Sequence, residues 1–196
     1  MRLHLIRHPQ PIVAPGVCYG RTDIAVTAEA IARVGASLVA HLPKRAIVVC
    51  SPLRRCADLA DVLAEMGGYA PAQRDPDLME MDFGTWEMRA WETIERSEID
   101  AWADDTMHYR PGNGESVCDM AHRIMNFCAS LRHTMESDLI VVCHAGTIRL
   151  LQAWRPGIAA AQLAHDAAST PHAIGYGEMH MVEISTIVCR LEEHRL

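Results

Sequence analysis

A three-layer α/β sandwich, with a mostly parallel central sheet, helices on both faces and a small helical cap, is predicted by three observations. Three apolar runs, RLHLI (2–6), AIVVC (46–50) and LIVVC (139–143), are rich in β-branched residues and show little polar alternation, as strands covered on both faces do. Stripes of helical period lie between them. Strand and helix alternating in this way build a parallel sheet with helices on both sides.

The elements follow in order. After the first strand, TAEAIARVGASLVAHL (27–42) sets Ile31, Val34, Leu38 and Leu42 at helical spacing, with Thr27 placed to cap the start. Beyond the second strand, Cys56, Leu59, Leu63 and Met66 form another stripe that GGY (67–69) ends. Residues 84–112, with Trp86, Trp91 and Trp102 among many charges, read as a helical excursion over the sheet, its tryptophans packing the cap down rather than closing over a ligand. The strongest helix runs over 115–136. Ser116 and Asp119 fit a capping box, and Val117, Met120, Ile124, Cys128, Leu131 and Met135 share one face. It delivers the chain to LIVVC. MHMVEI (179–184) and IVCRL (187–191) read as a closing pair of strands.

A length of 196 residues suits one domain, 1–196, with a sizeable core. Hydrophobic residues at 49% and charged ones at 22% describe an ordinary globular chain, neither disordered nor fibrous. The net charge of −7 argues against a nucleic-acid or membrane partner, while leaving room for a local cationic pocket. No apolar segment approaches the ~20 residues that span a bilayer, and no signal-peptide pattern opens the chain, so a cytoplasmic location is expected. Seven cysteines without a Cys-x-x-Cys spacing indicate neither a disulfide framework nor a thiolate zinc site. The oligomeric state has no signature here.

Function is read from the strand tips, because ligands of open α/β sheets bind beyond the carboxyl ends of the strands. Arg7-His8 follows the first strand, Ser51-Pro52-Leu53-Arg54-Arg55 the second, and His144-Ala145-Gly146-Thr147 the third. If the strands are neighbours, two imidazoles and at least two guanidiniums converge. Guanidinium offers phosphate paired donors, and imidazole can attack phosphorus.

These residues resemble the histidine phosphatase superfamily, the phosphoglycerate-mutase-like proteins. LIRHP matches the Arg-His-Gly signature, CSPLRRCADLA the second arginine segment, LMEMDFGTWE the acidic segment and VVCHAGTIRLL the second-histidine segment, in the family's order. CYGRTD (18–23) and FGTWEMR (83–89) most resemble the alpha-ribazole phosphatases of cobalamin biosynthesis. The resemblance implies a phosphoric monoester hydrolase, free of metal and cofactor, acting on a small phosphorylated metabolite. In it His8 would be the nucleophile. Arg7, Arg54 and His144 would hold the phosphoryl oxygens, Glu80 would protonate the leaving oxygen, and Gly20, Arg21 and Ala145 would line the substrate. Arg55 is expected to face solvent. The chain departs from the family at Pro9, Pro11 and Ala14, where Gly, Thr or Ser, and Asn are common; each change removes a hydrogen-bond donor, and Pro9 also stiffens the loop.

Other readings remain. Mutase activity on another sugar phosphate is one, and phosphate binding without turnover is another. Cys143 and Arg149 stand at the Cys-x5-Arg spacing of cysteine-dependent phosphatases. His165, Asp166 and His172 show no spacing that groups them on a metal.

Overall fold

The computed structural model describes residues 1–169 and 173–184. In chain order the elements are β1 (Arg2–Arg7), α1 (Ala28–Val39), β2 (Ile47–Cys50), α2 (Arg54–Gly67), β3 (Gln73–Arg74), α3 (Arg96–Asp104), α4 (Val117–Ser130), β4 (Asp138–Cys143), α5 (Ala145–Ala153), α6 (Ala160–Ser169) and β5 (Met179–Glu183). The strands form one sheet in the order β3-β2-β4-β1-β5. Pairing is parallel throughout except between β1 and β5.

Side chains alternate across the inner strands, so each face of the sheet carries its own core. Leu3, Leu5, Leu139, Val141 and Cys143 point to the side covered by α4, α5 and α6, where Met120, Ile124, Phe127, Ile148, Leu151 and Leu163 meet them. Ile6, Val48, Cys50, Ile140 and Val142 point to the other side, against Ile31 and Leu38 of α1 and Leu59 and Leu63 of α2. Burial on both sides explains why these runs lack polar alternation, and each fully buried aliphatic side chain contributes about 1.5–3 kcal/mol.

The helix ends obey local chemistry. Thr27 accepts the Ala30 N–H at 3.2 Å. Ser116 and Asp119 form the expected capping box. Gly68 closes α2 in the left-handed region at φ +68, with its N–H returned to the Ala64 and Glu65 carbonyls. The α4 stripe is shorter than the spacing predicts: the helix ends at Ser130 and a 3-10 turn, Leu131–His133, follows. Three residues per turn rotates the stripe out of phase. Leu131 therefore stays buried while Met135 is 96% exposed.

Residues 84–113 contain α3 and three 3-10 turns. Trp86 is fully buried with Cys18 and Ile94 in a third apolar cluster. The Cys18 N–H donates to the Arg89 carbonyl, and the Met88 N–H returns to the Cys18 carbonyl, both at 2.8 Å. The loop after β1 is thereby fastened to this excursion. The proposed strand IVCRL (187–191) and His172 lie outside the described residues. Among the described residues, no helix is long and apolar enough to cross a membrane.

Candidate active site

The register of the sheet assembles the site. Arg7 pairs with Cys143, and Cys50 with Val142, so three parallel strands finish side by side. Their next residues, His8, His144 and Ser51, come out at one edge. The His8 N–H continues the ladder to the Cys143 carbonyl at 3.1 Å, and the Ser51 N–H continues it to Val142 at 3.0 Å. Because β5 runs antiparallel to β1, the turn before it also arrives at this edge, where the Gly177 N–H reaches the carbonyls of Arg7 and His8 at 3.1 and 3.3 Å.

His8 is 2% exposed, and its Nδ1 lies 2.7 Å from the Pro9 carbonyl. A carbonyl only accepts, so Nδ1 carries the proton and Nε2 keeps a lone pair. Burial first, and then the nearby Arg55 and Arg7 guanidiniums, lower the His8 pKa to about 3 against the opposing bond to Pro9. The ring is neutral at pH 7.

The His144 ring centroid is 5.1 Å from that of His8. Arg55 Nε donates to His144 Nδ1 at 3.3 Å. Guanidinium cannot accept, so the His144 proton sits on Nε2 and is given to Ser51 Oγ at 2.9 Å. His144 is completely buried, and burial followed by the Arg55 charge drives its pKa well below the usual histidine range. Arg55, equally buried, also donates to the Thr22 carbonyl at 2.7 Å and to the Gly20 carbonyl.

Beside these groups opens a cavity of about 540 Å³. Arg7, His8, Glu80, Tyr19 and Tyr176 supply its polar end; Phe83, Trp91, Trp102, Met81, Met120 and Leu150 supply an apolar wall. Arg7 donates to the Ile174 carbonyl at 2.5 Å and lies 3.9 Å beneath the Tyr176 ring, while its buried Nε–H has no partner among the described residues. Glu80 accepts the Gly146 N–H, in the first turn of α5, at 3.1 Å. A Cβ at Gly146 would stand 2.4 Å from Glu80 Oε1, so only glycine lets the carboxylate approach. A neutral imidazole, a guanidinium and a carboxyl group thus share one hollow, a set suited to phosphoryl transfer.

From β1 through α6, residues 3–175 match the Histidine phosphatase superfamily (branch 1). The chain belongs to the histidine phosphatase superfamily. It is 31% identical over 171 residues to the adenosylcobalamin/alpha-ribazole phosphatase of Escherichia coli (strain K12), covering 84% of each chain. The structure of the alpha-ribazole phosphatase from Shigella flexneri is similar at 28% identity and a TM-score of 0.78, over 94% of this chain and 91% of that one. A mycobacterial glucosyl-3-phosphoglycerate phosphatase shares the fold at 22% identity and a TM-score of 0.74, over 93% of this chain and 89% of that one. The protein is a phosphatase.

In this histidine phosphatase the expected site residues divide. Arg7, His8 and Glu80 line the cavity, and His144 stands fully buried beside His8. The two adjacent arginines are reversed from expectation. Arg54 is exposed, its backbone N–H donating to Asp23 Oδ1 at 2.7 Å, whereas Arg55 turns inward to His144. Helical phase decides this, because successive residues differ by 100° and Arg55 falls in line with Leu59 and Leu63, all three at 0% exposure. That signal was present in the α2 stripe, four residues before Leu59. Arg21 is also redirected. It pairs with Glu115 at 3.4 Å and Asp82 at 3.7 Å and does not line the cavity. Gly20 and Ala145 are not on the cavity surface either; Gly20 holds Arg55 through its carbonyl, and Gly146 takes the place expected of Ala145.

Two contributors, Glu87 and Tyr176, escaped the sequence reading, and two tryptophans were given another role. Glu87 accepts the N–H groups of Gly20, Arg21, Thr22 and Phe83 and the Thr22 hydroxyl. Burial pushes its pKa up, but the Thr22 hydroxyl and the backbone donors outweigh burial and hold it below the usual range, so a carboxylate anchors the loop that carries Tyr19. Tyr176 approaches from the far end of the chain. Trp91 and Trp102, expected to pack the excursion onto the sheet, stack on each other at 6.1 Å and face the cavity. Cys143 is fully buried, and burial followed by the Glu80 charge pushes its thiol well up, which opposes a thiolate nucleophile.

Proposed function

We propose that this histidine phosphatase hydrolyses small phosphate monoesters through a phosphohistidine on His8, with alpha-ribazole 5′-phosphate as the substrate of choice. The observation that carries the reading is the tautomer of His8: Nδ1–H is spent on the Pro9 carbonyl, leaving the Nε2 lone pair beside Arg7 and Glu80. In the first step a N–P bond forms at His8 Nε2 while the P–O ester bond breaks, and Glu80 gives the leaving oxygen its proton. In the second step Glu80 takes a proton from water, which attacks phosphorus and releases His8. Arg7 donates to the phosphoryl oxygens, Arg55 adds its charge from behind the cavity surface, and His144, bonded to Arg55 and Ser51, stays neutral beside His8. These cations occupy the place a metal would serve, so turnover is expected to persist in the presence of a chelator.

The alcohol half of the substrate meets Phe83, Trp91 and Trp102, surfaces suited to a planar apolar group. The relatives named for alpha-ribazole phosphatase activity support a benzimidazole nucleotide over a bare sugar phosphate. Rapid acid-free quenching with a labelled aryl phosphate tests the mechanism: an acid-labile, base-stable phosphoenzyme is expected from the wild type and none from His8→Ala. Glu80→Gln is expected to slow alkyl phosphates on the order of 10²-fold and p-nitrophenyl phosphate far less, since a good leaving group needs no proton. A panel comparing alpha-ribazole 5′-phosphate, nucleoside monophosphates and sugar phosphates tests the substrate, with kcat/KM expected to favour the first.

A further inference from the structure

The loop after His8 has lost donors. Pro9 and Pro11 have no N–H and Ala14 has no polar side chain, and at the same edge Arg55 and His144 are completely buried, off the cavity surface. Two tyrosines bring hydroxyls to the same cavity. Tyr19 comes from the loop anchored by Glu87, and Tyr176 from the turn whose Gly177 N–H is bonded to the backbone of Arg7 and His8. Their hydroxyls meet at 2.8 Å, although 157 residues separate them. The Tyr176 ring is 3.9 Å from the Arg7 guanidinium carbon and 5.7 Å from the His8 ring; the Tyr19 ring is 5.5 Å from that of Arg55. Each phenol therefore covers one guanidinium, and both line the cavity.

Two hydroxyls that share one hydrogen bond hold two protons and use only one of them. The other remains available. Burial, together with the bond to Tyr176, pushes the Tyr19 pKa up, so Tyr19 keeps its proton for that bond. Tyr176 lies against both Arg7 and His8, which makes it the member nearer the reacting centre.

We propose that Tyr176 is a substrate-gripping residue and Tyr19 its positioning partner: the Tyr19 O–H donates to the Tyr176 oxygen, and the Tyr176 O–H donates to a phosphoryl oxygen of the ester bound against His8. The pair replaces the donors missing from the Pro9–Ala14 loop. This rests on the phosphatase reading of the same cavity.

Titration calorimetry of the full chain with inorganic phosphate, alongside kcat and KM for p-nitrophenyl phosphate, tests it. Phenylalanine keeps each ring and the stacking on arginine, so the variants retain their packing. Tyr176→Phe is expected to weaken phosphate binding and raise KM by about 10-fold, as loss of a hydrogen bond to a charged group does, with kcat changed less than about 3-fold. Tyr19→Phe leaves the Tyr176 O–H in place but untethered and is expected to cost roughly 3-fold. The double variant is expected to be no worse than Tyr176→Phe. Phosphate affinity unchanged or increased in Tyr176→Phe would overturn the proposal, the phenols then merely shutting the hollow. Two equal single effects that multiply in the double variant would overturn the relay. A wild type that binds phosphate without turnover defeats the phosphatase reading while the titration still decides the clasp; a wild type that does neither defeats both.

Discussion

Two buried histidines lie four residues apart, His4 within β1 and His8 just past its end. His4 is 7% exposed and lies 2.9 Å from Asp138, whose carboxylate is also held by Arg2 at 2.7 Å and by the Ser137 hydroxyl. His8 is 2% exposed, bonds through Nδ1 to a carbonyl rather than a carboxylate, and sits among guanidiniums, with Glu80 lining the same cavity. The Arg2 bond, opposed by burial and assisted by His4 and Ser137, holds Asp138 far below the usual carboxylate range, so that end of the sheet is a satisfied ionic plug. The other end gives the ring a carbonyl instead. Burial alone does not distinguish a structural imidazole from a reactive one; the partners do, because the His4 ring is committed to Asp138 while burial and the guanidiniums keep His8 neutral with a lone pair.

The contrast breaks most sharply on substitution of the two rings. His8→Ala is expected to lower kcat on the order of 10³-fold or more while His4→Gln leaves kcat/KM within about 2-fold, as steady-state kinetics on p-nitrophenyl phosphate would show. Comparable losses in both would erase the distinction between the two ends. The next largest effect concerns the arginine supporting the reactive end. Arg55→Lys removes the fork that joins His144, Thr22 and Gly20 and is expected to reduce kcat/KM about 10²-fold, whereas Arg54→Ala, an exposed change, stays within about 2-fold.

At the plugged end the readout is stability. Asp138→Asn is expected to cost about 1–3 kcal/mol in urea unfolding with kcat unaltered, the half-exposed Arg2 moderating the loss. The smallest effect is in pH. His8 has a lowered folded-state pKa, so the unfolded chain binds the extra proton: its cost to stability is absent above the ordinary value near 6.5 and grows as pH falls toward about 3. By pH 5.5 the loss from His8 is on the order of 1 kcal/mol, and His8→Asn should flatten that part of the stability curve. A wild type and variant with parallel curves from pH 7 to 5 would show that the ring is solvated.

The sheet was legible where the chain is apolar on both faces. β1, β2 and β4 advertise themselves by short apolar runs, β-branched in β2 and β4, and their polar tips followed at once, so His8 and His144 could be placed together from the sequence. β3 could not be read: Gln73 and Arg74 are exposed and carry no pattern. The error at Arg54 came from reading a motif by adjacency, where the angular step of α2 selects Arg55. Tyr176 was invisible for another reason. Its neighbours Tyr19, Arg7 and His8 lie more than 150 residues away in sequence, and only the antiparallel return of β5 brings its turn to the strand tips. The tryptophans were noticed, but no periodicity indicates which of their faces meet packing and which meet a cavity.

The Pro9 carbonyl has a consequence for how this chain can vary. What orients the His8 ring is a main-chain oxygen, and every one of the twenty residues brings that oxygen with it. Proline at this position keeps the acceptor just as glycine would, and no single substitution there can delete it. On the proposed mechanism the reacting nitrogen is thus selected by the peptide skeleton and insulated from side-chain drift, so specificity can be revised around it while the choice of nucleophilic atom is kept.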